Sequence, residues 1–376
     1  LGQGLELDVF SCGAVLRACK TGRRWACALD LLRGTTHVGV KHNLITLSTV
    51  ISVLESRQHW ELAVGLLQEV EARAVEPDSV VHNSAISATE KGLQWEWASS
   101  LLARMKSRGL KIDVISCNAA ISASEKGRQW ERAFALLLSL RSESIEPDLY
   151  TYSSAISACE KGQQWEHACV IFLEMQAKGM SPGLIAYNAV LSALDTSQES
   201  ERVLSLMREM QCKDIEPDAI TFNSAIGALR MGQSWRHALD LLLEMQMRGL
   251  ERSPMTYTAT ISVLETSQQW ARAVALFQAL VEEECKGVAW VAPNTIICNA
   301  AVSACAKSGC WRPALDLLSR LQQLGLEADG VGYTSALLAC CDGRALEQAL
   351  WLLEEMVARD LRPDAIDYGV LLAECE

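Results

Sequence analysis

Self-similarity at a spacing of 35 residues runs through this sequence. Asn83 to Ala98 reads NSAISATEKGLQWEWA, Asn118 to Ala133 reads NAAISASEKGRQWERA and Ser153 to Ala168 reads SSAISACEKGQQWEHA, each offset by 35 residues. A fixed period of about 20 to 50 residues marks a repeat array, in which no unit buries its apolar face alone and each stacks on its neighbours. The array also lifts a size limit. A chain of 376 residues would otherwise divide into two or three domains, because a single core rarely grows past about 250 to 300 residues.

Within a unit, apolar positions recur at three- and four-residue spacing in two blocks. Ile220, Ala225, Ile226 and Leu229 form one, and Trp235, Ala238, Leu239, Leu242 and Met245 the next. Two amphipathic helices per unit follow, so the fold class is all-α, an α-α solenoid of tandem helix-turn-helix hairpins. Phased on the residue after the recurrent Glu-Pro, the units are 9–43, 44–78, 79–113, 114–148, 149–183, 184–218, 219–253, 254–294, 295–329 and 330–364. Residues 1–8 are the end of a preceding repeat or a linker, and 365–376 begin an eleventh. The eighth unit has 41 residues, with its excess around Glu282 to Val291, which predicts a lengthened second helix or loop.

Gly at the fourteenth position (Gly22, Gly92, Gly127, Gly162, Gly232, Gly343) is expected to end the first helix in the left-handed conformation. Gly39, Gly109, Gly179, Gly249 and Gly325 end the second, and Pro at 77, 147, 182, 217, 293 and 363 keeps it from continuing. Trp fills the seventeenth position at 25, 60, 95, 130, 165, 235, 270 and 311, three residues before a recurrent Ala. Large beside small predicts packing rather than a base-stacking platform. Cys19, Cys159, Cys305 and Cys340 share a column with Leu54, Leu194, Leu229 and Leu264, an exchange a core tolerates and a metal site does not.

Composition removes several classes. With 49% hydrophobic residues the chain has ample surface to bury, yet no run approaches the roughly 18 apolar residues of a membrane span. Fourteen Cys inside helical pattern predict free thiols in a reducing compartment. Nothing near Leu1 reads as a signal or transit peptide. The net charge of −12 opposes a generally nucleic-acid-binding surface, since phosphate affinity comes from Lys and Arg. No His-Glu-x-x-His, Cys-x-x-Cys or Gly-rich phosphate loop occurs, and Cys340 and Cys341 are adjacent rather than spaced. The expectation is a chain without catalysis, metal or cofactor.

The Phe222-Asn223 pair with Glu244-Met245, Glu174-Met175 with Gly179, and Glu354-Glu355-Met356 with Pro363-Asp364 resemble the pentatricopeptide repeat, and the uniform length its P-type subclass. The likeness covers residues 9–376; the Trp column departs from that family's pattern. The resemblance implies a superhelix whose first helices line a concave groove, each repeat holding one base of single-stranded RNA. It casts the second-position residues Ile45, Val80, Ile115, Tyr150, Ile185, Ile220, Met255, Ile296 and Val331 as base wedges, though by themselves they read as helix-start core. Base recognition falls to the fifth and last positions, at Ser48 with Asp78, Asn83 with Asp113, Asn118 with Asp148, Ser153 with Gly183, Asn188 with Asp218, Asn223 with Ser253, Thr258 with Asn294, Asn299 with Asp329 and Thr334 with Asp364. An Asp after Pro also caps the next helix, and both readings of that column stay open. The family's pairing rule implies RNA of the approximate sequence 5'-NGUUNUCAUG-3'.

Lys91, Lys126, Lys161 and Lys307 stand where the resemblance implies phosphate contact. Four engaged lysines would give a log-log salt slope of about −3. Glu174, Glu209 and Glu244 fall on the side that the family turns to solvent, which places much of the acidic charge away from the groove. The function implied is RNA processing, stability or translation in a mitochondrion or chloroplast. A protein-binding helical scaffold is the rival reading, with possible protein partners and no membrane. RNA targeting for an enzyme joined beyond Glu376 is compatible with the first.

Overall fold

The computed structural model describes residues 9–22, 24–37, 44–55, 59–72, 77–197, 199–230, 232, 234–285, 292–326, 328–359, 361–364 and 368–369. Among them are twenty α-helices, one 3-10 turn at Leu194–Thr196 and no strand. The chain divides into two units, 1–190 and 191–376. In the first, hairpins follow one another as Val9–Thr21 with Trp25–His37, Leu44–Glu55 with Trp60–Ala72, Ser79–Lys91 with Trp95–Ser107, Val114–Lys126 with Trp130–Ser142, and Leu149–Lys161 with Trp165–Ala177. In the second, Ser200–Cys212 precedes Ala219–Ala228 with Trp235–Met247, Pro254–Thr266 with Trp270–Cys285, Thr295–Ala306 with Trp311–Gln323, and Gly330–Asp342 with Leu346–Ala358. Helix Leu184–Ala193 spans the division. Each unit is a stack of helical hairpins, the α-α solenoid expected from the period.

Local chemistry sets where the helices start. Each first helix from Ser79 onward that has a side chain before it is capped by that residue. Asp78, Asp113, Asp148, Asp218, Asn294 and Asp329 accept the backbone N–H of the third helical residue at 2.8 to 3.0 Å, and Ser253 does so at 3.3 Å. Each cap stabilises its helix by about 1 kcal/mol. Second helices end on left-handed Gly109, Gly179, Gly249 and Gly325, with φ of +67° to +75°. There the next residue closes a six-residue turn, as Leu110 N–H does onto the Met105 carbonyl at 3.0 Å.

The break inside each hairpin corrects an expectation. Gly92, Gly127, Gly162 and Gly343 have φ of −80° to −85°, which any residue adopts. The left-handed residue is the next one, and it is Leu93, Arg128, Gln163 and Arg344. What demands glycine is the Trp of the preceding hairpin. A Cβ at Gly92 would stand 2.2 Å from Trp60 Cδ1, at Gly127 2.4 Å from Trp95, at Gly162 2.4 Å from Trp130 and at Gly343 2.5 Å from Trp311. The tryptophans thus pack hairpin to hairpin, with Trp130 also 5.0 Å from the His167 ring.

Buried residues alternate small and large as the pattern requires. Ala98, Ala133, Ala168, Ala238 and Ala273 are fully buried beneath the tryptophans, and Cys19, Cys159, Cys305 and Cys340 lie in the core. The helix Trp270–Cys285 has 16 residues where most second helices have 13, so part of the eighth unit's excess lengthens that helix. The rest of the excess lies outside the described residues.

Candidate nucleic-acid interface

On a first helix, the second, fifth, ninth and twelfth residues fall on one stripe, because spacings of three and four return to the same side of a helix. The fourth-position side chain points the other way and is buried, as in Tyr152, Tyr187, Phe222 and Tyr333. The second-position residues do not join it. Exposure runs from 53% at Tyr150 to 75% at Ile185, with Val80, Ile115, Ile220, Met255, Ile296 and Val331 between. Read alone as helix-start core they were misplaced; the helix axis carries them away from the core. The side chain of Ile45 lies outside the described residues.

Several of the expected fifth–last pairs meet. Asn83 Nδ2 donates to both oxygens of Asp113 at 3.2 and 3.0 Å, and Asn118 Nδ2 to both oxygens of Asp148 at 3.1 Å. Asn299 Nδ2 donates to Asp329 at 2.7 Å. The aspartates therefore cap a helix and hold an amide at once, joining two readings that the sequence left open. Burial pushes the Asp148 carboxyl up, but hydrogen bonds from Thr151 and Asn118 outweigh that and hold it below the usual carboxylate range. It is an ionised acceptor at neutral pH.

Two of the expected pairs do not close. Ser153 donates into its own helix at the Leu149 carbonyl, 2.8 Å away, and Gly183 has no side chain to meet it. Thr258 likewise donates to the Pro254 carbonyl at 2.9 Å, while Asn294 caps the following helix. Asn188 and Asp218 belong to different units. Ser48 and Thr334 are half-buried on their helices, Asp78 is a cap and Asp364 is exposed.

Around Thr258 the stripe forms a cavity of 440 Å³, lined by Met255, Ile296, Thr258, Ser262, Gly227 and Arg230 among others. Two successive second-position side chains flank one fifth-position hydroxyl there. Arg230 reverses the sign of the twelfth-position column and lies 3.7 Å from Asp195.

The lysines are engaged. Lys91 pairs with Glu55 at 2.7 Å, Lys126 with Glu90 at 2.9 Å, Lys161 with Glu125 at 2.8 Å and Lys307 with Glu265 at 2.8 Å. Each Glu also accepts from a ninth-position serine, at 2.9 Å from Ser87, 2.8 Å from Ser122, 3.0 Å from Ser157 and 2.8 Å from Ser303. This ladder was missed from sequence, although serine recurs every 35 residues at 52, 87, 122, 157 and 192.

Known proteins share the repeat and the fold. The Pentatricopeptide repeat domain model matches residues 100–162, 170–231 and 316–376, and the PPR repeat model residues 150–180, 220–250 and 296–326. A pentatricopeptide repeat-containing protein of Arabidopsis thaliana is 32% identical over 82 residues, which are 22% of this chain and 15% of that protein. The solved complex of PPR10 with an 18-nucleotide psaJ RNA element is similar in fold, with a TM-score of 0.58 at 17% identity over 97% of this chain and 57% of that one. A cysteine-to-serine form of PPR10 with the same RNA element gives a TM-score of 0.64 at 16% identity and equal coverage. This chain therefore spans 57% of the solved PPR10 chain and 15% of the curated relative. The two repeat models together reach from residue 100 to 250 and from 296 to 376, on hairpins stacked in the same way. The chain belongs to the pentatricopeptide repeat family.

Proposed function

We propose that this chain binds single-stranded RNA along the first-helix stripe, one base to a repeat, with an approximate target of 5'-NGUUNUCAUG-3'. The observation that carries the reading is the slot around Thr258, where the exposed apolar side chains of Met255 and Ile296 flank a short polar one, together with exposed apolar second-position residues that recur from repeat to repeat. An unstacked base offers a flat apolar face to the first kind and a hydrogen-bonding edge to the second. The fifth-position amides at Asn83, Asn118 and Asn299, backed by carboxylates, suit that edge. PPR10, similar in fold, was solved with an RNA element. Family kinship adds the setting, RNA processing, stability or translation in a mitochondrion or chloroplast.

Selection of RNA from a random pool tests the reading, and the enriched motif is expected to follow the string above. No enrichment would favour the protein-binding scaffold. Asn118→Ala is expected to weaken binding about tenfold to RNA with U at the fourth base and far less to RNAs changed there. Equal losses on every RNA would sink the one-base-per-repeat assignment.

A further inference from the structure

The fifth-position amide is also gripped by the repeat that follows. Thr151 Oγ1, at the third position of the fifth repeat, lies 2.5 Å from Asn118 Oδ1 and 2.8 Å from Asp148 Oδ1. Ser116 Oγ lies 2.6 Å from Asn83 Oδ1 and 2.5 Å from Asp113 Oδ1, so in each slot the amide oxygen and the carboxylate share one hydroxyl proton. In both cases Nδ2 donates to the carboxylate. One N–H and one oxygen lone pair then remain for a ligand.

Two further amides, Asn223 and Asn299, differ. Thr256 Oγ1 donates to Asn223 Oδ1 at 2.6 Å, but the last residue there is Ser253, whose hydroxyl lies 3.1 Å from that of Thr256. With no carboxylate, both Asn223 Nδ2 hydrogens are left without a protein acceptor among the described residues. At Asn299 the carboxylate is present, but Gly332 occupies the third position and brings no hydroxyl. Asn299 is 9% exposed, and its Oδ1 is buried with no hydrogen-bond partner. A buried acceptor left unpaired is costly, so the Asn299 amide gains by turning this oxygen outward to a donor on the ligand.

We propose that the third residue of the following repeat is a positioning residue that tunes base selection, by setting how much of the fifth-position Asn oxygen is left for the base. The inference rests on the RNA reading above. Uracil presents N3–H as a donor and cytosine presents N3 as an acceptor, so the share of free oxygen against free N–H decides between them. The slot of Asn299, with no competing hydroxyl, should prefer U over C more strongly than the slots of Asn83 and Asn118. The slot of Asn223, which offers two N–H groups against one oxygen lone pair, should prefer C.

Valine in place of threonine keeps the buried shape and removes the hydroxyl. Binding of the full chain is measured to RNAs that carry U or C at the fourth or the seventh base. Thr151→Val frees Asn118 Oδ1 and should raise the U-to-C preference at the fourth base several-fold, about three- to tenfold. Thr256→Val lets the Asn223 amide turn its oxygen outward and should lower the C-to-U preference at the seventh base by a similar factor. Thr151→Ser and Thr256→Ser should keep the wild-type ratios. A shift toward U confined to the slot of the substituted residue is something a merely structural role would not produce, since lost stability weakens all RNAs alike.

Unchanged ratios in both valine variants, with Asn118→Ala still abolishing the fourth-base preference, would overturn the third-residue role and leave the RNA reading standing. A uniform loss across all RNAs would do the same. If Asn118→Ala also leaves the preference intact, both inferences fall. Should one valine variant not fold, the other carries the test, because the two slots are predicted independently.

Discussion

A Cβ built on Gly127 would stand 2.4 Å from Trp95 Cδ1, while one built on Gly65, inside the helix Trp60–Ala72, would meet nothing within 4 Å. The two glycines should therefore respond oppositely to alanine. Gly127→Ala is expected to destabilise by about 1 to 3 kcal/mol, because the indole has to leave its place on the neighbouring hairpin. Gly65→Ala should stabilise by about 0.5 to 1 kcal/mol through helix propensity alone. Urea-denaturation midpoints read both, and a stabilising Gly127→Ala would remove the Trp–Gly account. The glycine column was legible in the sequence, but its reason was not. A left-handed break and a close approach select the same residue, and the partner that decides lies 32 positions upstream.

At the scale of the helix, the lysines once assigned to phosphate are held in a ladder that crosses from one first helix to the next. Glu90 takes Lys126 at 2.9 Å and Ser122 at 2.8 Å. Phosphate would have to compete with that carboxylate. Pairs this exposed contribute under about 1 kcal/mol to stability, so they are weak locks but real competitors. RNA binding is therefore expected to fall with salt less steeply than a slope of −3. Glu90→Gln should release Lys126, tighten binding at low salt and steepen the slope by up to about 0.7. Lys126→Ala should leave the slope nearly unchanged. Affinity titrations over a range of salt check both, and a wild-type slope of −3 with no response to Glu90→Gln would show the ladder to be open in solution.

Across the whole molecule, the thiols report how completely the stacked hairpins exclude water. Burial pushes Cys117, Cys159, Cys298 and Cys305 up to about 12, and Cys340 to about 11, against an ordinary 9.0. In the folded chain a maleimide should label exposed Cys27 and Cys212 quickly, and these five only on unfolding. Their raised values also set an alkaline limit. The unfolded thiols ionise first, so stability is full below about pH 9 and drains away as the pH rises toward about 12. Mass spectrometry after timed labelling, and melting temperature against pH, measure the two effects.

What the amino-acid sequence determined by itself is the hairpin and its repetition. Apolar spacing, an Asp, Asn or Ser before a first helix and a Gly after a second act within a few residues of chain, and their recurrence every 35 residues forces stacking. The fifth–last pairing came into view only through a family pattern, and the structure closes it at Asn83, Asn118 and Asn299 but not at Ser153 or Thr258. Tertiary structure alone decided the rest. It exposed the second-position side chains, paired the lysines with glutamates 36 to 42 residues away, seated tryptophan on glycine and left Asn299 Oδ1 without a donor. The physical reason is common to all four. Each depends on how one hairpin is set against the next, and helical periodicity specifies which face is apolar without specifying which atoms of the neighbour it will meet.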